Sequence, residues 1–106
     1  MPRPGGSPSG PVDMAAVSEH EFRAEMATAG HPVSTWANGA HDRYGAHTHP
    51  YRKILCCLDG SIVFHTAAGE NPLRAGDRLI IEAGVPHSAI VGPAGVRCAE
   101  AHVIDT

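Results

Sequence analysis

Long apolar runs are missing from this sequence, and none reaches the roughly 18 residues of a bilayer span, so no membrane partner is expected. The N-terminus carries an arginine but no apolar stretch behind it, which argues against a secretory signal. Basic residues are in the minority, 8 Lys and Arg against 11 Asp and Glu for a net charge of −3. Without a basic stripe, nucleic acid is not an expected partner either. Cysteine is limited to Cys56, Cys57 and Cys98. Neighbours on a strand point to opposite faces, so Cys56 and Cys57 should not bond to each other. An odd count with no leader fits a reducing compartment, and the expected location is the cytoplasm. Length is also in short supply. A chain of 106 residues is one domain, and a domain of this size buries only about 60–65% of the surface its unfolded chain would expose. A closed barrel, a metal ion or a dimer must supply the missing stability.

Three residue types are abundant: 12 Gly, 9 Pro and 8 His. Glycine and proline punctuate short apolar segments throughout, the pattern of many strands joined by tight turns. The first stretch, MPRPGGSPSGP, has nothing to pack, and residues 1–13 are expected to form a disordered tail. A helix is expected over 14–30. Ser18 and Glu21 have capping-box spacing, Val17 and Phe22 have staple spacing, Phe22 and Met26 share a face, and Gly30 followed by Pro32 ends the element. Such a helix must cover the outside of the domain or a partner subunit. Expected strands are Val33–Asn38, Tyr44–His49, Lys53–Leu58, Ser61–Thr66, Asn71–Arg74, Arg78–Glu82, His87–Val91 and Val96–Ile104. Asp59-Gly60 reads as a hairpin turn, and Ala83-Gly84-Val85-Pro86 as another turn. So many short strands argue for a small barrel or jelly roll occupying 31–106.

The histidines give the first chemical clue. His47 and His49 are two apart, which on a strand puts both imidazoles on one face. His87 opens another strand after a Gly-x-Pro turn. Three neutral imidazoles can hold one divalent first-row ion (zinc, iron, copper or nickel) and leave positions open for water or substrate.

These residues fall in two blocks. Gly45-Ala46-His47-Thr48-His49 through Gly60 resembles the first motif of the cupin family: His-x-His, then usually Glu four residues on, then Gly. Gly76-Asp77 through Gly84-Val85-Pro86-His87 resembles the second. The likeness covers roughly Trp36 to His102. It implies an all-β cupin jelly-roll barrel with one short N-terminal helix. It also implies His47, His49 and His87 as metal ligands, a small-molecule ligand, and a homodimer that covers open sheet edges. Two positions depart from the pattern. Glu82 replaces a turn proline, and Lys53 stands where the family usually places its Glu ligand.

A protonated lysine has no lone pair to give. At about 6 Å from a dication, with an effective dielectric of about 20, its repulsion is roughly 5 kcal/mol. A carboxylate must offset this, either from Glu100 in a Lys53–Glu100 pair inside the barrel or from the substrate. Tyr51 is a candidate proton donor or pocket wall. Lys53, Tyr51 and Glu100 are therefore the candidate catalytic residues. His102 shares the strand parity of Glu100, while Trp36 reads as packing and His65 as outward. His41 sits in a loop, His20 and His31 are expected in solvent, and Cys57 is expected to line the lower barrel. The ion's charge favours an anionic or chelating ligand. The resulting expectation is a metal-dependent enzyme of oxygenase, isomerase or cyclase type, with a non-catalytic ligand-binding or sensing role as the alternative.

Overall fold

The computed structural model describes residues 14–104, with side chains from Ser18 onward; the expected tail and the Val17 half of the staple lie outside these. Helix α1 runs over Met14–Ala29, followed by β1 (Val33–Asn38), β2 (Arg43–His47), β3 (Lys53–Thr66), β4 (Gly69–Arg74), β5 (Arg78–Ile81) and β6 (His87–His102). Helix α1 extends a full turn before Ser18, so Ser18 and Glu21 are interior helical positions and not an N-terminal capping box. The C-terminal stop follows the sequence. Gly30 takes φ +79°, its N–H donates to Ala27 O, and His31 N–H donates to Met26 O. These two bonds form a Schellman cap, in which a left-handed glycine satisfies the last carbonyls.

The helix covers the outer face of the sheet. Phe22 and Met26 are buried against Cys56, Leu58, Ala99 and Ala101, with Val33 and Ile54 at the edge of the cluster. Two ion pairs tie it down, Arg78 with Glu25 and Arg97 with Glu19, each at 2.8 Å.

Six strands replace the eight expected from sequence. The expected strands on either side of Asp59-Gly60 are one continuous β3, and those on either side of the Gly92–Gly95 segment are one continuous β6. Strands β3 and β6 pair antiparallel along their length, from Lys53↔His102 to His65↔Ser88. Toward one end the order is β5-β3-β6-β1; toward the other it is β4-β3-β6-β2. All pairings are antiparallel, and the sheet wraps on itself as a jelly-roll barrel. Pro72 is tolerated in β4 because that strand pairs only with β3, leaving its other edge without a ladder to interrupt.

Asp59-Gly60 is a bulge and not a hairpin. The register shifts between Cys57 and Asp59 and again between Gly60 and Ile62, and Gly60 takes φ +73°. A left-handed glycine suits a hairpin turn and a bulge equally, so the dipeptide alone does not separate them. The bulge changes which residues face inward. Leu55 and Cys57 enter the interior cluster before it, Ile62 and Phe64 after it. In β6 the same switch occurs across Gly92–Gly95: Ala89 and Val91 point inward before it, Val96 and Cys98 after it. Cys56 joins the helix-side cluster and Cys57 the interior one, the opposite-face arrangement expected of adjacent strand residues. His65 is directed outward, 3.6 Å from Glu70. His31 is half-buried and not simply solvated, since its Nδ1 accepts the Ile104 N–H at 3.1 Å.

A methyl group on Gly60 would run into the backbone of Gly95, and φ +73° is strained for any side chain. Gly60→Ala should therefore lower unfolding stability by about 2–4 kcal/mol, combining backbone strain with overpacking. Urea denaturation followed by tryptophan fluorescence checks this; an unchanged midpoint would contradict the bulge geometry.

Candidate metal centre

His47 and His87 are direct cross-strand partners of β2 and β6. Their ring centroids lie 4.3 Å apart. His49 lies beyond the end of β2, where the sequence placed it within a strand. Strand parity therefore does not bring it in. The chain curls after His47, pinned by the Gly84 N–H donating to His49 O at 2.8 Å, and the His49 ring reaches within 4.9 Å of His47 and 5.2 Å of His87. One potential ligand atom from each of the three histidines lies within 4.8 Å of the other two.

Hydrogen bonds fix the tautomers. His47 Nδ1 lies 2.8 Å from Gly45 O, and His87 Nδ1 lies 2.9 Å from Val85 O. A carbonyl oxygen only accepts, so each Nδ1 carries the proton and each Nε2 keeps its lone pair. His87 is buried, and its Nε2 has no hydrogen-bond partner. A buried acceptor left without a donor is costly. One left beside two further imidazoles is what a ligand set for a cation requires, so the residues present fit a divalent first-row ion.

The surroundings of His49 and His87 favour their neutral forms. Burial lowers the pKa of His49 below its ordinary value, and the Lys53 ammonium lowers it further. Burial also lowers that of His87, partly offset by the bond to the Val85 carbonyl.

Lys53 points inward and is only 6% exposed. Its Nζ lies 3.3 Å from Glu100 Oε1 and 3.5 Å from His49 Nε2. The inward Lys53–Glu100 pair raised by the sequence is therefore present, although Lys53 and Glu100 sit on different strands. Trp36 has more than a packing role: its indole N–H donates to the same Glu100 oxygen at 3.1 Å. A cavity of about 310 Å³ is lined by His47, His49, Lys53, Glu100, Trp36, Tyr44 and Phe64. The sequence assigns no site role to Tyr44 or Phe64. For Phe64 the available signal is its inward parity with Ile62, which does not distinguish a cavity wall from core; Tyr44 is brought to the side of His47 by a register irregularity between them, which alternation does not foretell. Tyr44 in turn donates its hydroxyl to Asn38 Oδ1.

Tyr51 sits beside His49, ring centroids 5.2 Å apart, but it lines a second cavity of about 250 Å³ with Glu100 and His102. His102 stacks on Tyr51 at 3.7 Å and is exposed. Its link to the cluster therefore passes through Tyr51. His41, His20 and His65 are not brought to the cluster.

A jelly-roll barrel with a three-imidazole cluster and an adjoining cavity defines the class of this protein. The chain belongs to the cupin family: residues 33–96 match the model of the cupin domain. Solved structures agree on the fold. A cupin-2 domain protein from Shewanella frigidimarina is 13% identical, with a TM-score of 0.60 over 70% of this chain and 71% of its own. A cupin superfamily protein from Desulfitobacterium hafniense is 16% identical, with a TM-score of 0.62 over 69% and 66%. KdgF from a Halomonas species is 13% identical, with a TM-score of 0.59 over 69% and 68%. At such identities the likeness is one of fold. No curated protein matches the sequence.

The lowered pKa values set a pH dependence. In the metal-free protein His49 and His87 hold their protons less tightly folded than unfolded. The unfolded chain therefore binds more protons in the window just below the ordinary histidine value near 6.5, and stability there rises with pH. Their contribution should be complete above about pH 6.5 and fade as the pH falls through the lowered folded values. Denaturation midpoints measured between pH 7.5 and 5 should decline, and less steeply in His87→Gln. A flat wild-type profile would contradict the burial assigned to these rings.

Proposed function

We propose that this cupin is a metal-dependent small-molecule enzyme of oxygenase, isomerase or cyclase type, in which His47, His49 and His87 hold one divalent transition-metal ion. The observation that carries the reading is the buried, partnerless Nε2 of His87 beside two other imidazoles. When bound, the ion would supply Lewis acidity, or dioxygen chemistry if it is iron. The remaining work falls to the chain's own groups. Lys53 orients an anionic ligand in the cavity. Glu100 is a positioning residue, holding Lys53 from the next strand while the Trp36 indole holds Glu100 in place. Tyr51, packed against His49, is the proposed proton donor. Trp36, Tyr44 and Phe64 wall off water from the apolar side of the cavity.

The natural setting proposed is a cytoplasmic homodimer. Unpaired cysteines fit a reducing compartment. The outer edges of β1, β2, β4 and β5 have no strand partner in the described chain, and an open edge invites a second copy.

A second reading, ligand binding or sensing without turnover, draws support from Lys53. The family's usual carboxylate ligand is absent there, and the ion gains a cationic neighbour instead.

Protein purified without chelators should carry about one equivalent of a first-row metal per chain by plasma mass spectrometry. His87→Ala should weaken binding of that metal by at least about 100-fold, since loss of outer-shell partners alone costs 10–100-fold. Wild-type protein that binds no zinc, iron, copper or nickel at micromolar concentration contradicts the reading. Turnover of candidate substrates that disappears in His87→Ala separates the enzyme from the binder.

A further inference from the structure

We infer that the ligand of this site is a small monocarboxylate with an apolar tail, whose carboxylate lies between the bound ion and the Lys53 ammonium. The inference rests on the metal reading above and adds the class of ligand.

Lys53 is the starting point. An ammonium has three N–H donors and no acceptor. One donor is directed to Glu100 Oε1 at 3.3 Å and another faces His49 Nε2 at 3.5 Å. If His49 gives the Nε2 lone pair to an ion, as its two neighbours are set to do, that acceptor is withdrawn from Lys53. The loss leaves a charged donor short of a partner in a side chain that is 7% exposed. Glu100 Oε1 already accepts from both Lys53 and the Trp36 indole N–H. Metal loading thus creates a demand for a new acceptor beside His49, and a buried charged donor left unpaired is especially costly.

Net charge narrows what that acceptor can be. Lys53 and Glu100 cancel. The three imidazoles are neutral ligands, so both charges of the ion remain uncompensated inside the cavity. A hydroxyl or amide oxygen would satisfy the Lys53 donor alone. A carboxylate satisfies the donor and offsets the ion together, with one oxygen toward each. The three-imidazole set brings no negative charge of its own, so the ligand must supply it.

The opposite wall specifies the tail. Trp36 and Tyr44 meet edge to face, with centroids 5.7 Å apart, and Phe64 completes an aromatic surface in the same cavity. A volume of about 310 Å³ lies at the lower end of the range for small-molecule pockets, about 300–1,000 Å³. It admits one ring or a short branched chain.

Trp36 is the chain's single tryptophan, and it lines the cavity, so its fluorescence reports occupancy directly. The test uses full-length protein, zinc as the ion, and three probes: phenylacetate, its neutral isostere phenylacetamide, and acetate, which lacks the tail. Zinc binding is first measured by calorimetry. Phenylacetate should bind the zinc-loaded protein at least 10-fold more tightly than phenylacetamide or acetate, and at least 10-fold more tightly than it binds the zinc-free protein. Lys53→Gln retains a donor for Glu100; it should lose at least 10-fold in phenylacetate affinity without any loss of zinc affinity. Equal binding of phenylacetate and phenylacetamide overturns the inference, as does phenylacetate binding that ignores zinc. Both comparisons use the wild-type protein, so the outcome does not depend on whether the variant folds. Zinc bound one to one with no preference for the carboxylate sinks the ligand class and leaves the metal reading intact; a protein that binds none of zinc, iron, copper or nickel overturns both.

Discussion

The site depends on the bending of β6. Its first residue, His87, belongs to the imidazole cluster, and its near-last inward residue, Glu100, lines the cavity that adjoins that cluster. A straight strand of that length would hold them about 40 Å apart, at about 3.3 Å per residue. The Gly92–Gly95 segment, with Gly95 at φ +81°, and the facing Asp59-Gly60 bulge in β3 allow the paired strands to turn together. Inward parity switches at both places, so each half presents its apolar residues to a common interior. The sheet can then close on itself, and the His47↔His87 pairing meets Lys53 and Glu100 from the other half. Ladder, core and cavity all follow from that shared bend.

Electrostatics inside the barrel explain why Lys53 is tolerated. A buried ion pair contributes little to stability, because the cost of removing two charges from water roughly offsets their attraction; removing one partner, however, is strongly destabilising. Glu100 therefore matters less as a source of stability than as a fixed counter-charge. The Trp36 indole holds that counter-charge in place, which in turn leaves the Lys53 ammonium facing the imidazoles. The barrel thus carries a cation beside the three-imidazole cluster, with its neutralising partner one strand away.

Much of this is legible in the sequence. His-x-His, Gly-Asp and Gly-Val-Pro-His locate the cluster, and the idea of a Lys53–Glu100 pair follows from the cost of leaving an ammonium beside a dication. What is not legible has physical reasons. Asp59-Gly60 carries the same left-handed glycine whether the chain reverses or merely bulges, so the one long strand β3 reads as two short ones, and the Gly92–Gly95 segment divides β6 in the same way. His49 reaches the cluster through a curl of irregular chain, for which two-residue periodicity is no guide. The Trp36–Glu100 bond joins residues 64 apart in sequence, and an inward tryptophan gives no local sign that its N–H will find a carboxylate. Tyr51 does lie near the histidines, yet it opens onto the neighbouring cavity, a distinction that only the relative position of β1 and β6 resolves.

The central claim is that three imidazole nitrogens from β2, the turn after it and the start of β6 share one cation. The most direct measurement is an anomalous difference map from a crystal grown with zinc, collected on both sides of the zinc absorption edge. The account predicts a single strong peak within about 2.0–2.1 Å of one nitrogen from each of His47, His49 and His87. A map with no peak there, or with zinc bound only by surface histidines such as His20 or His41, would contradict it.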